Sequence, residues 1–122
     1  MTNKELVLEF YERVFNGHDL TDLSRYMRED YRQHSPEVAD GLEGFRTFAE
    51  GFFKLDPHMT IQYVGAEGDR VFVFFRCDFR AVGGAAKVCD IYRVEDGKLA
   101  EHWDVIQRIS PGDKFNNPNG HF

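Results

Sequence analysis

Hydrophobic residues recur along the first part of the chain at the spacing of amphipathic helices. Leu6, Phe10 and Val14 stand four positions apart, which predicts a first helix with an apolar stripe. Thr2 and Glu5 form a capping-box pattern at its start, and Gly17 is well placed to end it. A short second helix is predicted after this glycine, with an inner face of Leu20, Leu23, Tyr26 and Met27.

A polar segment and a third helix follow. Residues 31–36 are predicted to be extended, because the residue before Pro36 is disfavoured in the helical conformation. Asp40 is a candidate N-cap for the third helix, and Pro57 marks its end. The apolar positions of this helix are Leu42, Phe45, Phe48, Phe52 and Phe53.

The second half of the chain changes to the alternation of β-strands. Strands are predicted at 59–65, 70–82, 86–94 and 98–109, separated by turn residues such as Gly83-Gly84. The remaining tail has no periodicity and is predicted to be irregular. Helices followed by an antiparallel meander indicate an α+β fold, with the helices packed on a strongly curved sheet to form a cone. The whole chain, residues 1–122, is predicted to be a single domain.

Composition and charge narrow the function classes. The chain carries a formal net charge of −6 and no basic stripe, which argues against nucleic acid as a partner. No apolar run approaches the length of a membrane span, and no signal peptide is visible at the start, so we expect a cytoplasmic protein. The 12 Phe, 5 Tyr and 1 Trp indicate either a rigid core or the wall of an apolar cavity.

The last predicted hairpin carries the candidate chemistry. A three-residue loop at Asp96 would pair Asp90 with His102 and bring Asp104 onto the same face of the sheet. A two-residue Asp-Gly turn would shift the register by one and place Asp90 opposite Trp103. We favour the three-residue loop because it gathers the polar side chains, and we expect Asp90, His102 and Asp104 to lie within direct or water-bridged hydrogen-bonding reach.

Several kinds of site compete for these residues. The carboxylates could be solvated on an outer face, and His102 could be a structural hydrogen-bonding partner. The two Asp with His102 and His34 could form a metal site, but no clustered ligand motif supports it, so we predict no metal. Nucleophile motifs and phosphate loops are absent. Burial in an apolar pocket raises the pKa of a carboxyl group toward neutrality, which favours acid–base catalysis without a cofactor.

The chain resembles the SnoaL-like polyketide cyclase family of the nuclear-transport-factor-2-like superfamily. The resemblance lies in Tyr31-Arg32-Gln33-His34-Ser35-Pro36 with Asp40-Gly41, in Asp90-Ile91-Tyr92-Arg93, in Glu101-His102-Trp103-Asp104-Val105-Ile106-Gln107, and in the closing tail from Asn116 to Phe122. It implies a cone-shaped α+β barrel and an intramolecular aldol closure catalysed by an Asp without metal or cofactor. Asp104 best matches the acid/base position, with Asp90 and His102 supporting it and His34 at the mouth of the pocket.

Three functional hypotheses follow from this resemblance and from the residues. The first is a cyclase or isomerase acting on a small hydrophobic carbonyl compound, with Phe10, Tyr11, Phe52 and Tyr92 contacting the substrate. The second is a domain that binds a small ligand in the same cavity without turnover, and the third is a structural dimer module. We also expect a homodimer, because the sheet face carrying Ile91, Leu99, Trp103 and Val105 is too apolar to remain in water.

Overall fold

The structure is a computed structural model that describes residues 1–122. The element order is α1 (Asn3–Phe10), a π-helical segment (Tyr11–Asn16), α2 (Leu23–Tyr26), β1 (Met27–Gln33), α3 (Gly41–Phe52), a 3-10 turn (Phe53–Leu55), β2 (Pro57–Glu67), β3 (Arg70–Phe79), β4 (Ala85–Glu95) and β5 (Lys98–Ile109). None of the helices has the length and apolar composition needed to cross a bilayer.

The five strands form one sheet in the order β1-β5-β4-β3-β2. The meander β2 to β5 is antiparallel, as predicted. The extended segment forms β1 and pairs with β5 in parallel, so the sheet is mixed rather than wholly antiparallel. The predicted α+β class, with helices packed on the sheet, is confirmed.

The first helix starts as predicted and then widens. The Glu5 amide donates to Thr2 Oγ1 at 3.1 Å and the Thr2 amide donates to Glu5 Oε1 at 3.1 Å, which completes the capping box. From Tyr11 onward the helix has π geometry, a form found mostly as short segments at functional sites. Asn16, at its end, donates to the Met59 carbonyl and accepts from the Met59 amide, which ties the segment to β2.

The core lies between the helices and one face of the sheet. It is a cluster of 23 buried residues drawn from all the helices and strands. Cys77 belongs to this inner face, whereas Cys89 stands on the neighbouring strand one residue before the inward-facing Asp90, and both cysteines are free thiols. Burial raises the pKa of the Cys77 thiol to about 12, so this thiol stays protonated and packs as a small apolar group.

The residues of the β4–β5 hairpin pair in a different register from the predicted one. Glu95 pairs with Lys98, so the turn has two central residues, Asp96 and Gly97, and both have positive φ angles. A bulge follows, because Val94 pairs with Leu99 and Arg93 pairs with Glu101. The predicted three-residue loop was therefore wrong, but the bulge shifts the register by one further residue and restores the predicted faces.

Candidate active site

The inner face of the β4–β5 hairpin carries the three predicted polar residues. Asp90 pairs directly with Asp104, and Tyr92 pairs with His102. The predicted direct pairing of Asp90 with His102 was wrong, because the partner of Asp90 lies two residues further along β5. The polar atoms of Asp90, His102 and Asp104 nevertheless lie within 4.8 Å of one another, so the predicted convergence is confirmed.

Asp90 is the most enclosed member of this group, with only 5% of its surface exposed. Its Oδ2 accepts hydrogen bonds from the hydroxyls of Tyr11 and Tyr92, the latter at 3.3 Å, and its Oδ1 lies 3.0 Å from His102 Nε2. Burial and the nearby Asp90 carboxylate raise the pKa of both tyrosines well above the usual range. The two hydroxyls therefore remain donors to Asp90 at any physiological pH.

The position of one proton on His102 follows from its neighbours. His102 Nδ1 lies 2.7 Å from Gln33 Oε1, which also accepts from the backbone amides of His34 and Ser35 at 3.0 Å each. Two backbone N–H donors require an acceptor, so the atom of the Gln33 amide at this position is the oxygen and not the nitrogen. Because this oxygen can only accept, His102 Nδ1 must carry a hydrogen. The other ring nitrogen, Nε2, makes the 3.0 Å contact with Asp90 Oδ1, so both nitrogens of His102 have protein partners.

Asp104 differs from Asp90 because it is partly exposed and incompletely bonded. Its Oδ2 accepts from Ser35 Oγ at 2.6 Å, and no protein donor contacts its Oδ1. Asp104 therefore presents a carboxylate oxygen that is free to contact a ligand. The parallel β1–β5 pairing makes this possible, since it carries the Gln33-Ser35 segment alongside His102.

A cavity of about 450 Å³ opens beside these groups. Its volume is in the range of small-molecule sites. Most of its wall is hydrophobic, and the polar groups gather at one side, where Gln33, Ser35, Asp90, His102 and Asp104 line it. Two exposed charged residues, Glu37 and Arg108, also line the cavity and mark where it meets solvent.

The aromatic residues predicted to contact substrate divide into two pairs. Phe52 and Tyr92 line the cavity. Phe10 and Tyr11 do not line it: Phe10 is fully buried in the core, and Tyr11 stands behind Asp90 as its hydrogen-bond donor. Phe10, the last residue of α1, points into the core, whereas Phe15, within the π-helical segment, reaches the cavity.

The predicted place of His34 at the cavity mouth is also corrected. His34 Nε2 lies 2.7 Å from Glu101 Oε2, and its ring stacks on Trp103 with centroids 4.9 Å apart. This hydrogen bond, with a further one from Arg93, lowers the pKa of Glu101. Because side chains alternate along a strand, His34 faces away from the cavity while its neighbours Gln33 and Ser35 face into it.

Gln33 and Ser35 are the site residues that sequence reasoning missed. Strand alternation places Gln33 and Ser35 on the same face, opposite to His34, but the sequence does not tell which of these two faces lines the cavity. A metal site was also considered from the sequence. The ligand atoms of Asp90, His102 and Asp104 are close enough together for all three to coordinate one metal ion.

A family model for the SnoaL-like domain matches residues 7–102 of the chain. This match covers most of the chain and includes Tyr11, Gln33, Asp90 and His102. The chain belongs to the SnoaL-like domain family.

Solved structures agree with this assignment at the level of the fold. A SnoaL-like polyketide cyclase from Agrobacterium tumefaciens is 14% identical with a TM-score of 0.76, over 88% of this chain and 92% of that one. IdmH from Streptomyces antibioticus, a candidate polyketide cyclase, is 22% identical with a TM-score of 0.69, over 87% and 92%. AclR from Streptomyces galilaeus, a candidate hydroxylase, is 25% identical with a TM-score of 0.70, over 86% and 88%. No curated protein matches the chain.

Proposed function

We propose that this SnoaL-like protein catalyses proton transfer at the carbon next to a carbonyl group in a small hydrophobic, polyketide-like compound. The reaction would be a cyclisation or an isomerisation. The observation that carries the proposal is the free Oδ1 of Asp104 at the polar side of an otherwise apolar cavity. An apolar wall suits a carbon-rich substrate, and a carboxylate at its polar side suits general acid–base catalysis.

In this mechanism Asp104 is the acid/base. Its Oδ1 takes a proton from the substrate carbon, and the electron pair of the broken C–H bond moves toward the carbonyl oxygen to form an enolate. Ser35 holds the other oxygen of Asp104 at 2.6 Å and so fixes the direction in which Oδ1 points. The proton is later returned from Asp104 to carbon or oxygen, which leaves the protein unchanged.

Asp90 and His102 support this step as positioning residues. Both nitrogens of His102 and both oxygens of Asp90 already have protein partners, so neither residue has a free polar atom for substrate. A ligand atom of each lies within 4.8 Å of one on Asp104, so this hydrogen-bonded pair fixes the packing beside the acid/base. All proton transfers are carried by side chains, and the proposal requires no cofactor.

The test uses exchange of hydrogen for deuterium at the α-carbon of ketone probes, followed by NMR in D2O. Screening cyclic and linear ketones finds a probe on which the wild type accelerates exchange. Asp104→Asn keeps the shape and hydrogen bonding of the residue but removes the titrating proton, so exchange should slow by roughly 10²–10⁴-fold. Asp22→Asn is the matched control, because Asp22 is exposed and its side chain makes no cap hydrogen bond.

The alternative is a domain that binds a small ligand without turnover. The same cavity would serve it, so the discriminating result is binding of ketone probes with no acceleration of exchange in the wild type. Full exchange activity in Asp104→Asn would remove Asp104 from the catalytic role. A structural module without a ligand is disfavoured by the solvent-connected cavity that holds both carboxylates.

We further propose that the protein is a homodimer through the outer face of the sheet. Ile91 and Trp103 pair directly on that face, and Val105 beside them is 71% exposed. Leu99 does not belong to this surface, contrary to the prediction, because the bulge turns it into the core, where it is fully buried. Light scattering that reports a mass of about 28 kDa, twice the 14.2 kDa of the chain, would support the dimer, and a monomer at micromolar concentration would exclude it.

A further inference from the structure

The side-chain amide of Gln33 uses its oxygen, but not its nitrogen, for hydrogen bonds within the protein. Oε1 accepts from two backbone amides and from His102 Nδ1. A carbonyl oxygen with three donors is saturated, so Oε1 has no capacity left for a ligand. Nε2, with two hydrogens, is the part of this cavity-lining side chain that remains available.

Tyr31 lies two residues before Gln33 on β1 and lines the same cavity. Tyr31 is 2% exposed and stacks on the His102 ring with centroids 6.4 Å apart. Burial raises the pKa of Tyr31 well above the usual range, with Asp90 and Asp104 adding to the rise and the neighbouring Gln33 amide opposing it. Tyr31 is therefore a neutral donor, and no protein acceptor takes its hydroxyl hydrogen.

The other polar side chains next to Asp104 are already engaged, and the charged Glu37 and Arg108 stand at the solvent-exposed opening. The Tyr92 hydroxyl and His102 Nε2 are directed at Asp90, and the Ser35 hydroxyl donates to Asp104. Neither the Tyr31 hydroxyl hydrogen nor the hydrogens of Gln33 Nε2 have a protein acceptor, and both side chains line the cavity. Two neutral donors thus remain on one side of an apolar cavity, next to the free oxygen of Asp104.

We propose that Tyr31 and Gln33 form a donor pair that binds the carbonyl oxygen of the ligand. This inference rests on the proposed function and names the group of the substrate that the site recognises. When Asp104 takes the α-proton, negative charge develops on that carbonyl oxygen, and the donor pair stabilises it. Preorganised donors of this kind contribute most where charge develops in the transition state.

The test compares a ketone with a hydrocarbon of the same shape. The probes are 1-tetralone and tetralin, and their affinities for the full chain are measured by ligand-observed NMR. Tyr31→Phe removes one donor, and Gln33→Glu keeps the acceptor oxygen but replaces the donor nitrogen with oxygen. In Tyr31→Phe the affinity of 1-tetralone relative to tetralin should fall roughly tenfold from the wild-type ratio, as expected for the loss of one buried hydrogen bond. In Gln33→Glu the ratio should fall at least as far, because the new carboxylate also repels the carbonyl oxygen.

Matched controls come from the same chain. Tyr63→Phe removes a hydroxyl from a residue that is 71% exposed, and Gln107→Glu adds the same charge at an exposed position. Both controls should keep the wild-type ratio. A ratio unchanged in Tyr31→Phe and Gln33→Glu would overturn the donor pair, while α-proton exchange that still depends on Asp104 would leave the proposed function standing.

A second measurement needs no variant and so does not depend on folding. The side-chain amide signal of Gln33 in the wild type should shift when 1-tetralone is added and should not shift with tetralin. Gln62 and Gln107, the other glutamines of the chain, serve as internal references. An unmoved Gln33 signal with bound 1-tetralone would overturn the inference. Failure of 1-tetralone to bind more tightly than tetralin would also overturn the inference, whereas the proposed function is tested separately by α-proton exchange on the screened ketones.

Discussion

Replacing Tyr11 by Phe isolates the hydrogen bond that holds Asp90 from behind. The change removes one hydroxyl and leaves the ring, which packs edge-on against Phe75 and Tyr92. Tyr11 is 1% exposed and does not line the cavity, so neither bulk solvent nor the cavity offers a replacement donor. The expected cost is therefore the value of a buried hydrogen bond to a charged acceptor.

The magnitude follows from the partners that remain. Hydrogen bonds to charged groups contribute about 1.5–3 kcal/mol. Asp90 keeps His102 Nε2 at 3.0 Å and the Tyr92 hydroxyl at 3.3 Å, and Tyr92 is free to move closer because it loses its 3.0 Å contact with the Tyr11 hydroxyl. We therefore expect the free energy of unfolding to fall by about 2 kcal/mol, in the lower part of that range.

Urea unfolding at one fixed protein concentration measures this difference. The signal is fluorescence from the single tryptophan, Trp103, which is half-buried and stacked on His34. Tyr63→Phe is the control and should change the free energy of unfolding by less than about 0.5 kcal/mol, as is usual for exposed positions. Equal effects of Tyr11→Phe and Tyr63→Phe, with unchanged denaturant dependence, would refute the argument that this hydroxyl stabilises the buried carboxylate.

Two further outcomes are expected. Asn16→Ala removes both hydrogen bonds that join the π-helical segment to the backbone of Met59. It should lower the free energy of unfolding, measured by urea titration, by about 1–3 kcal/mol, because the Met59 amide is left without its partner. Asn117→Ala in the exposed tail is the control, and equal stability of the two variants would contradict the expectation. The raised pKa values of Tyr11, Tyr31 and Tyr92 mean that the unfolded chain loses these protons at lower pH than the folded one, so stability should be unaffected below the unfolded pKa of about 10 and should fall as pH rises above it. Tyrosinate absorbance from all five tyrosines, reached while the helix signal is unchanged, would contradict this.

The bulge at Leu99 and Ala100 has the largest consequence for the site of any single backbone feature. A two-residue turn alone would place Asp90 opposite Trp103 and so put it on the other face from His102 and Asp104. The extra residue returns Asp90 to the face of Asp104 and directs Glu101 to the opposite side, where it meets His34 and Arg93. Bulges are common beside active sites for this reason, because they re-aim side chains without interrupting a sheet.

Local patterns in the sequence were sufficient for the main helices and for the strands of the meander. Capping chemistry at Thr2 and Glu5, the strand at 98–109 and the common face of His102 and Asp104 depend only on neighbours in the chain, and each is present in the structure. The α+β class followed from the same source, because helical spacing changes to strand alternation once along the chain.

The tertiary structure decided what distant segments do to one another. The seven residues of β1 contain few apolar positions, so nothing local indicated that this strand would pair in parallel with β5. That pairing turns Gln33 and Ser35 into the cavity and His34 out of it, and the π-helical segment sets Tyr11 behind Asp90 rather than in contact with ligand. Hydrogen bonds between residues about seventy positions apart in the chain depend on register and on packing between layers, which are properties of the folded molecule and not of any window of sequence.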